Sequence, residues 1–399
     1  MFNVKYTCPI CGNDNEKYFG IRNGKIYCRR CISFRGETVS SYKPRDGHVV
    51  MMIKYPLSTE QAEIAKKVKE NFLKGIDTLI DAVCGAGKTE LVYEVIATAL
   101  SNKKTVAFAV PRRDVVIELT PRIKATFPSN SVAAVYGGHT SRLKADIVVL
   151  TTHQLYRYPH VFDLIILDEI DAFPFKDNDL LLTMLRNASR GRIVMMSATP
   201  SDEVLREFSQ DKHEILHLNT RFHRHPLPVP KVYVRYGPTK YITLFKKMKE
   251  FQKENKPVFV FCPTIDMAES VYAIIKKVIP NGNVVHSKKI DRATIIDDFK
   301  SGKYFYLVTT AVLERGVTIK NLQVIIFNAD HDIYDEHALI QISGRVGRKY
   351  DAPEGEVVFL VDKITSSIQR TISTIEDKNK SLQTMLWTNR RSIASQSSF

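Results

Sequence analysis

The stretch that decides the fold follows an apolar run and reads Asp-Ala-Val-Cys-Gly-Ala-Gly-Lys-Thr at residues 81–89. Small residues allow successive backbone N–H groups to turn inward around a triphosphate. Lys88 supplies a charge for the β- and γ-phosphates, and the hydroxyl of Thr89 is placed to ligate Mg²⁺. The stretch predicts an ATP-binding phosphate loop, although Ala82 stands where the strict pattern has glycine; the alternative is a tight strand-to-helix turn. The predicted nucleotide contacts are Ala82, Gly85, Ala86, Gly87, Lys88 and Thr89.

An acidic pair downstream predicts the other half of the same site. Residues 162–167 form a short apolar run of the kind that becomes a buried parallel strand, and Asp168 and Glu169 follow it directly. Open α/β sheets bind their ligands at the carboxyl ends of the strands. An aspartate there can hold Mg²⁺, and the neighbouring glutamate can activate water. We therefore predict Mg²⁺ between Thr89 and Asp168, with Glu169 as the general base.

The composition favours a cytosolic protein that binds polyanions. The 399 residues suffice for about two domains and a small extra module. No apolar run approaches the ~20 residues of a membrane span, and the N-terminus lacks the layout of a signal peptide. The formal net charge of +15 attracts polyanions, with a merely soluble basic enzyme as the alternative.

Four of the six cysteines lie near the N-terminus, as Cys8-x2-Cys11 and Cys28-x2-Cys31 with sixteen residues between the pairs. This spacing is typical of a four-thiolate zinc ribbon and predicts one structural Zn²⁺. Disulfides are the alternative, which the cytosolic character of the rest of the chain disfavours. The module is also rich in lysine and arginine, so it has either nucleic acid or a protein as a candidate partner.

Short apolar runs alternate with helical stretches on both sides of a proline-rich segment, which predicts an α/β fold with two parallel-sheet lobes. The expected strands are 76–83, 105–110, 131–136, 146–151, 162–167 and 192–198, then 257–262, 283–286, 304–309, 323–328 and 356–361. The expected domains are a zinc module at 1–45, a first lobe at 46–218, an extended linker at 219–240, a second lobe at 241–362 and a helical tail at 363–399.

Loops after several strands carry hydroxyl, glycine and basic residues, which suit the phosphates of a single strand; ordinary turn chemistry is the alternative for each loop. Arg345 and Arg348 are three residues apart, a spacing that predicts one helix face from which both reach a γ-phosphate, the alternative being two solvated residues. Ser197 and Thr199 are predicted to sense the nucleotide. The candidate nucleic-acid contacts are Pro111, Arg112, Gly138, Thr151, Thr152, Thr264, Thr309 and Thr310.

Taken in order, these motifs resemble the core of the superfamily 2 helicases over roughly residues 55–362. With the four-cysteine module and His-Pro-Leu-Pro-Val-Pro at 225–230, the chain is most similar to the ComFA family of late-competence DNA-uptake ATPases. The resemblance implies RecA-like lobes and an ATPase dependent on single-stranded DNA at the cytoplasmic face of the membrane. The implied partners are single-stranded DNA, ComFC and DprA; the membrane DNA-uptake channel and a second copy of the chain are further candidates.

The resemblance also implies a role for each motif residue. Gln61 would contact adenine, for which a helix cap is the alternative, and Gly316 would also bind the nucleotide. Thr318 departs from the aspartate of many relatives, and the lack of a visible wedge element favours translocation over duplex unwinding. The alternatives are a replication-restart DNA helicase and a nucleotide-gated nucleic-acid-binding scaffold with little turnover. The implied catalytic residues are Lys88, Asp168, Glu169, Gln341, Arg345 and Arg348, with Ser197 and Thr199 coupling the lobes.

Overall fold

A computed structural model describes residues 6–34, 36–44, 47–170, 178–310 and 318–396. The chain divides into two compact units, one made of residues 1–83 and 87–218 and the other of residues 84–86 and 219–399. Each unit is built on a parallel sheet with helices, which confirms the predicted α/β class. No helix among these residues is long and apolar enough to cross a membrane.

The cysteine module is a short antiparallel hairpin, β1 (Phe19–Arg22) and β2 (Lys25–Cys28), which follows a 3₁₀ turn at Glu16–Tyr18. Its four cysteines are buried and belong to the same hydrophobic cluster as Leu155 and Tyr156 of the first lobe. The ring of Phe34 stacks on that of His153 with centroids 6.0 Å apart. The module is therefore packed against the first lobe.

The first lobe carries a sheet in which seven described strands run parallel, in the order β5-β6-β4-β7-β8-β3-β9. Runs such as Val106–Val110 are fully buried, as expected for parallel strands covered on both faces. The strands are β3 Asp77–Ala82, β4 Val106–Val110, β5 Val132–Val135, β6 Ile147–Thr151, β7 Phe162–Asp168, β8 Ser189–Ser197 and β9 His213–Leu218. The helices are α1 Thr59–Lys74, α2 Lys88–Leu91, α3 Tyr93–Ser101, α4 Arg113–Thr126, α5 Asp179–Ala188 and α6 Asp202–Phe208, with a 3₁₀ helix at Thr152–Arg157.

The second lobe has six described strands, parallel in each registered pair, in the order β10-β15-β14-β11-β13-β12. Helices are described between most of the successive strands, as in the first lobe, so this lobe repeats that architecture. The strands are β10 Lys231–Val234, β11 Val258–Phe261, β12 Gly282–Val285, β13 Tyr306–Thr309, β14 Gln323–Phe327 and β15 Val357–Val361. The helices are α7 Pro238–Lys253, α8 Ile265–Lys276, α9 Arg292–Lys300, α10 Glu336–Ser343 and α11 Ser366–Gln396.

The eleven predicted strands of the two lobes are all present, but β9 and β10 were not predicted. Strand β10 lies inside the segment 219–240 that the prolines led us to expect as an extended linker. Three of its four prolines precede β10, which starts directly after Pro230 as an edge strand paired with β15, and the fourth, Pro238, follows the strand and opens the next helix. An edge strand tolerates proline at its start because its outer N–H groups need no partner strand.

The tail at 363–399 forms the helix α11, as predicted, and this helix packs on the second lobe. Ile368 and Ile375 are buried, whereas Ile364 precedes the helix and is exposed. Asn379 binds both backbone groups of Leu227, donating to its carbonyl at 2.9 Å and accepting from its N–H at 2.8 Å. The helix thereby fixes the segment that leads into β10.

Candidate nucleotide and nucleic-acid site

Three neighbouring strands bring the predicted phosphate loop, acidic pair and Ser197 together at the carboxyl ends of the strands of the first sheet. Strand β8 lies between β7 and β3, and all three run parallel. Their carboxyl ends deliver Asp168 from β7, Ser197 from β8 and the loop after Ala82 from β3. Neighbouring strands are about 4.8 Å apart, so the loop and the acidic pair stand about 10 Å apart across β8. This spacing suits a phosphate with a bound metal ion.

The phosphate loop changes direction at two glycines in the left-handed region. Gly85 has φ of +84° and Gly87 has φ of +76°, values that an L side chain adopts only with strain. Lys88 and Thr89 then open α2, directly after Gly87. The loop therefore has two left-handed turns between the strand and the helix, as the predicted phosphate loop requires, and Ala82 ends β3 without interrupting it.

Gln61 lies over this loop and also caps α1. Its side-chain oxygen accepts from the N–H of Ser58 at 2.9 Å, and its own N–H donates to the Ser58 hydroxyl at 3.2 Å. This reciprocal pair is a capping box. The Nε2 atom of Gln61 would be 2.6 Å from a Cβ atom at Gly87. One side chain thus starts a helix and presents an amide beside the phosphate loop.

The acidic pair has an unusual backbone. Glu169 has φ of +58°, a conformation that costs a non-glycine residue of order 1–3 kcal/mol and is concentrated at functional sites. Its N–H donates to Asp168 Oδ1 at 2.8 Å. On the next strand the Ser197 hydroxyl accepts from the N–H of Thr199 at 2.9 Å, and both residues are buried. A local hydrogen bond from a backbone N–H to a side chain therefore orders each of the two motifs.

The arginines of the second lobe do not share a helix face, and that expectation was wrong. Helix α10 carries the buried Gln341 but ends at Ser343, so Arg345 and Arg348 lie in the turns that follow. Gly347 in these turns has φ of +68°, which a helix excludes. Arg345 is 2% exposed, and Arg348 Nε donates to the Gly344 carbonyl at 2.8 Å. Gly316 lies outside the described residues.

A buried arginine that sequence reasoning missed holds these turns. Arg221 Nη1 donates to the carbonyls of Val346 at 2.8 Å and Gly347 at 3.0 Å. His223 Nε2 donates to the same Gly347 carbonyl at 2.8 Å. Burial, together with the charge of Arg348, lowers the pKa of Arg221 to about 10. Within a basic, proline-rich segment nothing in the sequence distinguished this arginine from its solvated neighbours.

The residues predicted to contact nucleic acid differ in how far their side chains are buried. The side chains of Thr152 and Thr309 are fully buried, and the Thr309 hydroxyl donates to the Thr310 carbonyl at 3.0 Å. Thr264 caps α8 by accepting from the Met267 N–H at 3.2 Å. At Thr152 and Thr309 a strand would therefore meet backbone groups rather than hydroxyls, whereas Thr264 is exposed. Of the remaining candidates, Pro111, Thr151 and Thr310 are buried, Arg112 is half-buried and Gly138 is exposed.

The four N-terminal cysteines fit a tetrahedral metal ion. Their sulfur atoms all lie within 4.8 Å of one another, with Cys8 and Cys31 3.6 Å apart and Cys11 and Cys28 3.7 Å apart. Four thiolates at about 2.3 Å from a zinc ion stand about 3.8 Å from each other. The sulfur atoms are too far apart for a disulfide, and none joins these cysteines, so the disulfide alternative is wrong. The donor set suits Zn²⁺ or another ion that prefers four sulfur ligands.

Two family models match the chain. The DEAD/DEAH box helicase model matches residues 62–208, and the helicase conserved C-terminal domain model matches residues 240–350. Among solved structures, the chain is similar to yeast Dbp5 bound to RNA and ADP BeF3, at 17% identity and a TM-score of 0.60 over 81% of this chain and 92% of that one. It is also similar to the Mycobacterium smegmatis helicase Lhr bound to ssDNA and AMP-PNP, at 17% identity and a TM-score of 0.61 over 81% and 50%. These likenesses show two RecA-like lobes.

Curated relatives match almost the whole chain. The competence protein ComFA of Bacillus subtilis is 33% identical over 94% of this chain and 86% of its own length. That of Streptococcus pneumoniae is 32% identical over 94% and 91%. Together with the helicase models, these matches show that the chain is an ATPase of helicase superfamily 2. It is an ATP-dependent nucleic-acid motor that acts in competence. The chain belongs to the ComFA family of competence proteins.

Proposed function

We propose that the chain is a translocase that moves along single-stranded DNA at the expense of ATP and helps to draw transforming DNA into the cytoplasm. The adjacency of β7, β8 and β3 supports this most directly, because it gathers the acidic pair and the phosphate loop at one sheet edge. A protein that only binds nucleotide has no need of Glu169 in a strained backbone beside that loop.

The roles of the motif residues are part of the proposal. Lys88 binds the β- and γ-phosphates, Thr89 and Asp168 hold Mg²⁺, and Glu169 takes the proton of the attacking water. Gln61 reads the adenine edge with its side-chain amide, which lies beside Gly87. Gln341, Arg345 and Arg348 stabilise the charge that develops on the γ-phosphate. Ser197 and Thr199 link the state of the nucleotide to the second lobe.

The strand contacts follow the carboxyl ends of both sheets. Backbone N–H groups near Thr151 and Thr309, with Arg112 at the start of α4, would hold phosphates of one strand. Contact through phosphates predicts sequence-tolerant binding that weakens with salt. The logarithm of the affinity should fall by roughly 0.7 per neutralised phosphate for each unit of log salt concentration.

The zinc module and the partners complete the proposal. One Zn²⁺ at the four cysteines would fix the module on the first lobe. ComFC and DprA, the membrane DNA-uptake channel and a second copy of the chain are the proposed protein partners, met at the inner face of the membrane. The basic surface of the module is the proposed docking region for one of them.

ATP turnover with single-stranded DNA, double-stranded DNA and single-stranded RNA tests the proposed function. We expect single-stranded DNA to raise turnover by roughly tenfold or more, a lowering of the barrier by about 1.4 kcal/mol. Lys88→Ala should abolish turnover while DNA binding stays measurable. Turnover that is slow and unaffected by any nucleic acid would instead favour a nucleotide-gated scaffold, and preference for duplex DNA would favour a replication-restart helicase.

A further inference from the structure

The exposed turn after β5 carries a stacked group of rings that none of the motif assignments uses. The rings of Tyr136 and His139 are parallel within 15°, with centroids 4.8 Å apart. The guanidinium of Arg113, at the start of α4, lies 5.0 Å from the Tyr136 centroid. Tyr136 is half-buried, whereas His139 and Arg113 are exposed. The outermost ring of this stack therefore faces solvent.

The turn holds this geometry rigidly. The N–H of His139 donates to the Tyr136 carbonyl at 2.8 Å, and the N–H of Tyr136 donates to the His139 carbonyl at 3.2 Å. Gly138 between them has φ of +80°, the value that the third position of a type II turn requires. Two reciprocal backbone hydrogen bonds across two glycines hold the turn, and the stacking of the two rings on each other sets their orientation on it.

The surroundings leave room for a nucleotide. No described atom lies within 4 Å of a Cβ atom placed on Gly137 or Gly138. The turn follows the carboxyl end of β5, which is the outermost strand of the sheet. The carboxyl ends of the next two strands, β6 and β4, lie on the same side of the sheet; Thr151 ends β6, and Arg112 follows β4. A strand whose phosphates follow these carboxyl ends would bring its bases to the rings.

We infer that the face of His139, supported by Tyr136 and Arg113, stacks on a base of the bound nucleic-acid strand. The inference rests on the proposed function and adds a contact of a different chemistry to it. Stacking on aromatic rings tolerates any sequence because every base has a π-face, and a nearby arginine strengthens it. Phosphate contacts alone would not distinguish a strand with bases from one without them.

The test compares a short single strand of thymidines with the same strand carrying abasic sites. Wild-type protein should bind the strand with bases on the order of tenfold more tightly, which corresponds to about 1.4 kcal/mol at 25 °C. His139→Phe keeps a π-face without the imidazole nitrogens and should retain this ratio. His139→Lys removes the ring and leaves a cation in its place, and its ratio should fall towards one.

His160→Lys is the matched control, because it makes the same change on an exposed histidine. His160 lies just before the amino end of β7, whereas His139 follows the carboxyl end of β5, so the control should keep the wild-type ratio. Thermal unfolding of each variant shows whether it is folded. The inference is overturned if wild-type protein binds both strands equally, or if folded His139→Lys keeps the wild-type ratio. Failure of the wild-type protein to bind either strand would instead overturn the proposed function and, with it, this inference.

Discussion

The side-chain nitrogen of Gln61 lies against Gly87, at 2.6 Å from the position that a Cβ atom on that glycine would occupy. Gly87 also has φ of +76°. Two features therefore exclude a side chain at the last glycine of the phosphate loop. One is its left-handed backbone conformation, and the other is the side chain of Gln61. The contact joins the start of α1 to the nucleotide loop within the first lobe.

Gly87→Ala should raise the dissociation constant for ATP by roughly tenfold or more, because the added methyl group must displace Gln61 or distort the loop. Gly302→Ala is the control, since Gly302 has φ of +83° but no described atom within 4 Å of its Cβ position. That variant should lose about 1–2 kcal/mol of stability and keep its ATP affinity. Titration with a fluorescent ATP analogue measures the affinity of both variants. Equal affinities for Gly87→Ala and Gly302→Ala would show that the contact between Gln61 and Gly87 has no role in ATP binding.

Replacing Glu169 should separate catalysis from strain. Glu169→Gln and Glu169→Gly both remove the proposed base, so neither should turn over ATP. Only the glycine variant relieves the left-handed backbone, and it should be more stable than the glutamine variant by on the order of 1 kcal/mol. Thermal unfolding and steady-state turnover test the pair. Wild-type turnover by Glu169→Gln would contradict the assignment of the base.

Arg221→Lys should sharply reduce DNA-stimulated ATP turnover. Lysine is a point donor and cannot hold the carbonyls of Val346 and Gly347 as the planar guanidinium does, so the turns that carry Arg348 lose their support. Arg370→Lys, at a side chain that is 65% exposed, is the matched control and should behave as wild type. If Arg221→Lys retains full stimulation, the buried arginine does not position the motif.

Removal of the metal should weaken the first lobe and not just the N-terminal module. The four cysteines belong to the cluster that contains Leu155 and Tyr156, and Asn187 of α5 donates to the backbone carbonyl of Ile10 at 3.5 Å. We expect one zinc per chain by metal analysis. Cys8→Ser with Cys11→Ser should lose the zinc and lower the unfolding temperature of the lobe, whereas Cys262→Ser should keep the zinc. A zinc-free wild-type protein would contradict the assignment.

The sequence was most informative where one physical requirement dominates. Buried parallel strands need continuous apolar runs, so β4 and β7 could be predicted nearly to the residue. The cysteine spacing likewise predicted a cluster that the packing confirms. Strand β10 could not be predicted because local proline content indicates a linker, while its pairing with β15 depends on a residue more than a hundred positions away.

The candidate site was predictable in its first half and less so in its second. The phosphate loop and the acidic pair are local patterns, whereas the path of the chain after α10 depends on Gly347 and on carbonyl contacts from Arg221. A spacing of three residues therefore misled us into placing Arg345 and Arg348 on one helix. Burial of a charged side chain is a tertiary property, and composition gives no sign of it.

Displacement of streptavidin from biotinylated single-stranded DNA tests translocation, the central claim, most directly. With ATP and Mg²⁺ the wild-type protein should displace streptavidin from one end of the strand and much more slowly from the other. Lys88→Ala and Glu169→Gln should displace none, and neither should wild-type protein supplied with ADP. The account is contradicted if single-stranded DNA stimulates ATP turnover while streptavidin remains bound at both ends.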